Sequence, residues 1–458
     1  MKKLVPFIVI LLSLTGCSWC ITPGSEPQSS NDQSSEVPSE APSEVPSEAP
    51  SSTIPFSTFQ TFYPLEGQIN KPNKQFNTKV EEAVDADYVN ALDQFALDFY
   101  GLLDNDENQV FSPLSIATCY SMLYEGCDGA TRQELESMLH YDDSFNHLEE
   151  VQNMLLRCAI NDTETGTYLD VSQSVWTRES GIFKQEYIDY LTNNYYAEAF
   201  NNINFATTGK QLCADWVNSK TNNFLNVQAS DFESFNGLTA MVLFNTIYLK
   251  SNWGVSDLFA EESNVESEFT NRDNSKSTVT YMRGMNRDST FYYTDKYIIS
   301  SLPYCNGISL NILLPEEDYD NVLKDNGVLN KLLNFNKLPS AETEYEDAIW
   351  TLPKFKMQNK YGLIPLLRQL GLEETFSYNP NFDKMAEPKY KNELFIYESV
   401  HNAGIEVNNK GVEAAAYTYV QVDEKGSMPI RMTIDHPFAY AITTNDGYPL
   451  FMGIVNQL

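Results

Sequence analysis

Apolar residues recur at two different periods along the chain. In Asp87–Leu103, the residues Leu92, Phe95, Phe99, Leu102 and Leu103 fall at helical spacing. Ser115–Tyr124 reads as a second helix, apolar on several sides, with Pro113 near its start. Thr131 and Glu134 fit a capping box for a third helix. Tyr187–Tyr196 and Lys210–Phe224 also read as helices. The period then shortens. Leu238–Leu249 is apolar and rich in branched and aromatic residues, which predicts a buried strand. Ser277–Met282, Ile298–Leu302, Ile308–Leu314, Trp350–Met357 and Leu394–Val400 add further strands. Helices first and strands later, without βαβ alternation, predict an α+β fold around large sheets. No internal repeat or second linker interrupts this region, so it reads as one large domain.

The first residues follow neither period. Lys2 and Lys3 precede an apolar run, Leu4–Leu14, that is short for a bilayer span. Leu14-Thr15-Gly16-Cys17 follows and resembles the bacterial lipobox, in which the cysteine is lipidated and becomes the new N-terminus. An ordinary signal peptide that happens to carry a cysteine is the plainer alternative. Cys17 and Cys20 also spell C-x-x-C, but a redox motif is expected inside a βα fold. Residues 35–50 repeat a Ser/Glu/Pro unit in which Pro stiffens the chain and Glu repels its neighbours. The expected organisation is a lipoprotein signal at 1–17, an extended tether at 18–84 and a folded domain at 85–458. Such a protein works outside the cell, lipid-anchored to the outer face of the membrane or, alternatively, secreted.

Charge narrows the partners. The 458 residues carry a net charge of −33, of which the folded part holds −29. That surface repels phosphate backbones, so nucleic acid is excluded as a partner. Cys119, Cys127, Cys158, Cys213 and Cys305 are scattered and lack metal-ligand spacing, so they read as free and mostly buried thiols. No metal or other cofactor is implied. There is no G-x-S-x-G elbow, phosphate-cradling loop or H-E-x-x-H. The only histidines are His140, His147, His401 and His436. A hydrolase assembled in space from such residues remains an alternative.

Residues 411–422 read GVEAAAYTYVQV. Val412, Ala414, Ala416, Thr418, Val420 and Val422 form one alternating set, small or β-branched. Glu413, Ala415, Tyr417, Tyr419 and Gln421 form the other, which tolerates solvent. Alanine is a poor strand former, and a polar run, Asp423–Ser427, follows. The segment suits a strand without requiring one at rest. An ordinary core strand with a hairpin loop is the simpler alternative.

Together these motifs resemble the serpin family, from about residue 85 to the C-terminus. Asn108–Ile116 resembles the family's N-x-x-F-S-P-x-S-I, and Asn245–Trp253 resembles N-x-I-Y-F-K-G-x-W. Leu352–Phe355 is similar to L-P-K-F. Ile405–Asn408 leading into Gly411–Ala416 resembles the hinge, and Asp435–Phe438 and Pro449–Gly453 resemble the closing signatures. The resemblance implies helices packed on three β-sheets, with an exposed reactive-centre loop. It implies a suicide-substrate inhibitor of serine proteases. The protease cleaves the loop, an acyl-enzyme forms, and the cut loop inserts into the sheet and drags the protease with it. A dozen new backbone hydrogen bonds at ~1 kcal/mol each would contribute on the order of 10 kcal/mol.

The resemblance also assigns residues. Gly411, Val412, Glu413, Ala414, Ala415 and Ala416 fall at the hinge, with Val412, Ala414, Ala416 and Thr418 facing inward on insertion. Ser112, Ser115, Asn245 and His401 fall at the shutter beneath the sheet, and Trp253 at the breach where the loop goes in. For His401 the alternative is an isolated core histidine, and for Trp253 plain packing. Asn409 stands where the family usually has an acid, and Val412 where it usually has Thr, so latching of the resting state is put in question at Asn409. Counting forward from Asn409 puts the reactive bond at Lys425–Gly426, which predicts a trypsin-like target. Counting back from Pro437 gives Gly426–Ser427. An elastase-like protease cutting at Val420, Val422 or Gly426 is the second choice, and the acidic domain would steer cationic enzymes of that kind. Asp142, Asp143, Glu149 and Glu150 against Arg157 leave no visible site for an anionic polysaccharide. The protein is expected to be a monomer. A non-inhibitory serpin acting as a binding protein is the main alternative.

Overall fold

The computed structural model describes residues 7–12 as backbone, together with 67–104, 106–179, 181–411 and 428–458. The hinge from Val412, the reactive bond and Cys17 lie outside these residues.

One sheet comprises β1 (Phe7–Leu12), β2 (Gln68–Asn70), β4 (Ile160–Asp162), β5 (Thr167–Thr177), β6 (Glu198–Phe200), β7 (Thr239–Lys250), β13 (Phe355–Gly362) and β14 (Ile396–Val407). Its spatial order is β13-β14-β1-β7-β5-β6-β2, with β4 paired to β5. The second ladder comprises β3 (Gln109–Phe111), β8 (Val265–Thr270), β9 (Lys276–Tyr293), β10 (Tyr297–Pro303), β11 (Ile308–Pro315), β12 (Glu344–Pro353), β15 (Ile430–Thr433), β16 (Phe438–Thr444) and β17 (Pro449–Val455). Three sheets were expected, and two of them are joined here. The 18-residue β9 pairs with β8 and β12 over most of its length, then with β10 at its end, so the ladder runs through without a break.

The longer helices are α1 (Ala86–Tyr100), α2 (Pro113–Gly126), α3 (Gly129–Met138), α4 (His147–Arg157), α5 (Gln185–Asn194) and α6 (Thr208–Lys220). Asp85 caps α1 by accepting from the Asp87 amide, and Ser112 caps α2 by accepting from Ser115. Nearly every residue of α2 is buried, because it lies beneath the first sheet with the second ladder on its other side. α6 covers a small separate core, where Trp176 stacks on Phe200 at 3.7 Å and Trp216 meets Phe244.

Two local expectations change. α3 starts at Gly129, and Thr131 and Glu134 do not form a capping box. The Thr131 hydroxyl accepts from the Asn381 amide, and the Glu134 carboxylate accepts from the amides of Glu374 and Thr375. Both side chains find better partners in a distant loop than in their own helix. The apolar run Trp350–Met357 is two strands rather than one. It breaks at Lys354, where β12, paired to β9, gives way to β13, paired to β14.

Residues 67–84, counted with the tether above, lie against the domain. β2 extends the first sheet by pairing with β6. Lys74 pairs with the Asp170 carboxylate and donates to the Val171 carbonyl at 2.6 Å. The Asn77 amide donates to the Ala159 carbonyl, and its side chain exchanges hydrogen bonds with the Asn161 backbone. Among the described residues, no helix is long and apolar enough to cross a membrane.

Candidate functional site

The centre of the first sheet is a slot. β7 and β14 run parallel to each other but do not pair; β1 lies between them, parallel to both. Leu12, the last residue of β1, is level with Asn245 on one side and His401 on the other. Beyond that level the two strands continue to Lys250 and Val407. A cavity of about 260 Å³ lies there, lined by Phe224, Ile247, Leu249, Ala403, Ile405 and Lys356 among others.

The four expected shutter residues are all fully buried and sit together at this level. The Ser112 amide donates to His401 Nε2 at 3.0 Å. The Ser115 amide donates to Ser112 Oγ at 3.1 Å, and Ser115 Oγ donates to Asn245 Oδ1 at 2.6 Å. One polar cluster therefore joins the start of α2 to both walls of the slot. Burial pushes the His401 pKa down to about 3, so the ring is neutral. Because Nε2 accepts, the proton sits on Nδ1. That atom and Asn245 Nδ2 have no hydrogen-bond partner among the described residues. Tyr361 stacks parallel on the His401 ring with centroids 6.1 Å apart. Its hydroxyl donates to Gln109 Oε1 at 2.8 Å. Tyr361 was not singled out from the sequence, where it is one of 27 tyrosines with no motif around it.

The mouth of the slot is a tight turn. Asn408 and Gly411 exchange backbone hydrogen bonds of 3.2 and 3.0 Å. Gly411 has φ +89°, and a Cβ there would lie 2.5 Å from the Ser251 carbonyl oxygen. Only glycine suits that geometry. Trp253 is buried, stacks on Tyr304 at 4.5 Å, and donates from its indole N–H to the Asn408 carbonyl at 3.1 Å. It holds the turn from which the hinge departs. Asn409 does not lack a latch. Its Nδ2 donates to the Phe259 carbonyl at 2.9 Å and to Asn264 Oδ1 at 2.8 Å, and Asn264 Nδ2 donates back at 3.1 Å. A neutral amide pair stands at the position where the family usually has an acid.

The other three histidines each face a carboxylate. His436 lies between Asp435 at 2.8 Å and the Pro315 carbonyl at 2.8 Å. Burial opposes its charge, but these two acceptors outweigh it and raise the pKa. Each ring nitrogen faces an oxygen acceptor. His140 meets Asp98 at 2.8 Å, and His147 meets Glu125 at 3.0 Å. Cys119, Cys127, Cys158 and Cys213 are buried free thiols, and Cys305 is half-buried. Among the described residues, no group of side chains is arranged to hold a metal ion.

The first sheet thus holds a strand between two parallel walls, above a buried polar cluster and beneath a glycine turn. The comparisons are specific. A family model described as Serpin (serine protease inhibitor) matches residues 90–458. Neuroserpin of Mus musculus is 27% identical over 369 residues, covering 76% of this chain and 86% of its own. Iripin-1 of Ixodes ricinus is 30% identical over 387 residues, covering 80% and 94%. Among solved structures, the native state of the thermophilic serpin tengpin matches with a TM-score of 0.70 at 22% identity, covering 84% of this chain and 97% of that one. Thyroxine-binding globulin in complex with thyroxine matches with a TM-score of 0.66 at 21% identity, covering 81% and 98%. The chain belongs to the serpin family and has the serpin fold. Members of that family are mostly protease inhibitors rather than enzymes.

Proposed function

We propose that this protein is a suicide-substrate inhibitor of extracellular serine proteases. The observation that carries the reading is the slot: β7 and β14 are parallel, mutually unpaired and open at the end where Gly411 launches the loop. A loop cleaved on its far side can turn at Asn408–Gly411 and add a strand there. Strand addition satisfies two rows of backbone groups and supplies the work that distorts the trapped protease. The small inward set Val412, Ala414, Ala416 and Thr418 supports this, since bulky or charged side chains would not pass between the walls.

Lys425–Gly426 is the proposed reactive bond, with Gly426–Ser427 as the alternative. Lys425 directs the inhibitor to a trypsin-like enzyme, with an elastase-like one as second choice. The lipobox places the protein on the outer face of the cell membrane, anchored through Cys17 and acting as a monomer. Ala414→Arg tests the reading. The chain beginning at residue 18 should form a complex with trypsin that survives boiling in SDS, and the same chain carrying Ala414→Arg should be cleaved without one. If the chain beginning at residue 18 is cleaved by every serine protease offered and traps none, the reading is overturned. The cavity beside Phe224 favours a second reading, a binding protein for a small apolar ligand, which would then lead.

A further inference from the structure

The slot is partly filled by the chain itself. Residues 7–12 run between β7 and β14, from Phe7 opposite Thr239 to Leu12 opposite Asn245, with Ile8–Leu12 laddered along Ile396–His401. The sequence there is Phe-Ile-Val-Ile-Leu-Leu, and branched and aromatic residues of this kind suit a central strand. About 54 residues separate Leu12 from Gly67, and such a length spans far more than the width of the domain. Nothing in the chain's connectivity therefore prevents the N-terminal stretch from reaching the sheet.

The direction of this strand sets it apart from an inserted loop. A loop that leaves β14 through the Asn408–Gly411 turn must run back antiparallel to β14, whereas β1 runs parallel. The walls present N–H and C=O groups that pair with either direction. The two strands also compete for one space. β1 takes the half of the slot up to Asn245 and His401, and leaves open only the half between Thr246–Lys250 and Asn402–Val407. A cleaved loop could enter that near half, but would stop at the polar cluster and could not carry a protease the length of the sheet.

We propose that residues 7–12 plug the loop's own slot, so that the chain traps proteases only after its N-terminal stretch is removed. This rests on the inhibitory reading above and adds an order of events to it: processing at or near Cys17 would unlock the inhibitor. The same apolar run would serve first as an address and, while attached, as a lock. A precursor that cannot trap proteases is protected from spending itself before it reaches its place of action.

The test compares the full chain 1–458, carrying Cys17→Ser to prevent lipidation, with a chain beginning at residue 18. Both are titrated with trypsin, and the SDS-stable complex is quantified. The shorter chain should trap at least about tenfold more protease per molecule cleaved. A third chain, full length with Val9→Asp and Ile10→Asp, should recover trapping, because two carboxylates are ill suited to a strand held between two others. Hydrogen exchange provides a readout independent of inhibition. Amides of Val242–Asn245 and Ser399–His401 should be protected in the full chain and more open in the shorter one. Equal trapping together with equal exchange in the two chains would overturn the plug. If neither chain traps a protease, the inhibitory reading fails, and the exchange difference alone decides whether the slot holds residues 7–12.

Discussion

His401 is buried and neutral, and this makes the fold sensitive to acid. Its pKa lies near 3 in the folded state, against about 6.5 in an unfolded chain. The unfolded chain therefore binds the extra proton first. The stability from the neutral ring is complete above pH 6.5 and is lost as pH falls towards 3, by about 1.4 kcal/mol per pH unit. Urea denaturation from pH 7 to pH 5 should show this slope, and His401→Gln should reduce it. At the mouth, Asn409→Ala removes the amide pair with half-buried Asn264 and leaves the buried Phe259 carbonyl without that donor. The expected cost is about 1–3 kcal/mol, with faster spontaneous loss of trapping on warming. Gly411→Ala should impair folding or trapping more than Asn409→Ala, because its Cβ meets the backbone. Ser112, Ser115 and Asn245 stand inside recognisable motifs, whereas His401 is named only by its place in the family resemblance. Asn264 and Tyr361 could not be anticipated, because each hydrogen-bonds a residue more than a hundred positions away, Asn409 and Gln109, and carries no local pattern.

At the level of elements, periodicity located β7, α2 and β11 to within a few residues, since their burial is continuous or strictly patterned. It failed where tertiary partners decide. The Trp350–Met357 run looks like one strand because both halves are apolar, yet Lys354 lets the chain change sheets. Residues 67–84 look like spacer because they are polar and few, but the Lys74–Asp170 pair, 11% and 7% exposed, ties them to β5. Lys74→Met would leave that carboxylate buried and uncompensated, a loss of about 3–5 kcal/mol. Thermal unfolding of this variant should show a marked fall relative to the parent. An unchanged midpoint would show that the pair contributes nothing. The apolar run at residues 7–12 reads as an address because of its position, whereas its composition suits a strand equally well. Only the sheet shows that there is a vacancy of the right length for it.

Over the whole molecule, the net charge of −33 shapes encounter rather than fold. Association with a cationic protease should slow as ionic strength rises from about 0.01 M to 0.15 M, since the screening length falls from about 30 to 8 Å. A rate independent of salt would remove any role for the acidic surface. The α+β class and the family were both legible in the sequence. The slot's occupant was not, because it joins the first residues of the chain to strands more than two hundred positions away.

In the proposed mechanism a cut loop becomes a strand while still holding its attacker. The most direct measurement is the intact mass of the product formed between the chain beginning at residue 18 and trypsin. One covalent species is expected, equal to the protease plus the inhibitor up to Lys425, less one water, with a released peptide beginning at Gly426. Free protease beside an inhibitor cleaved in two, with no joined species, would contradict it.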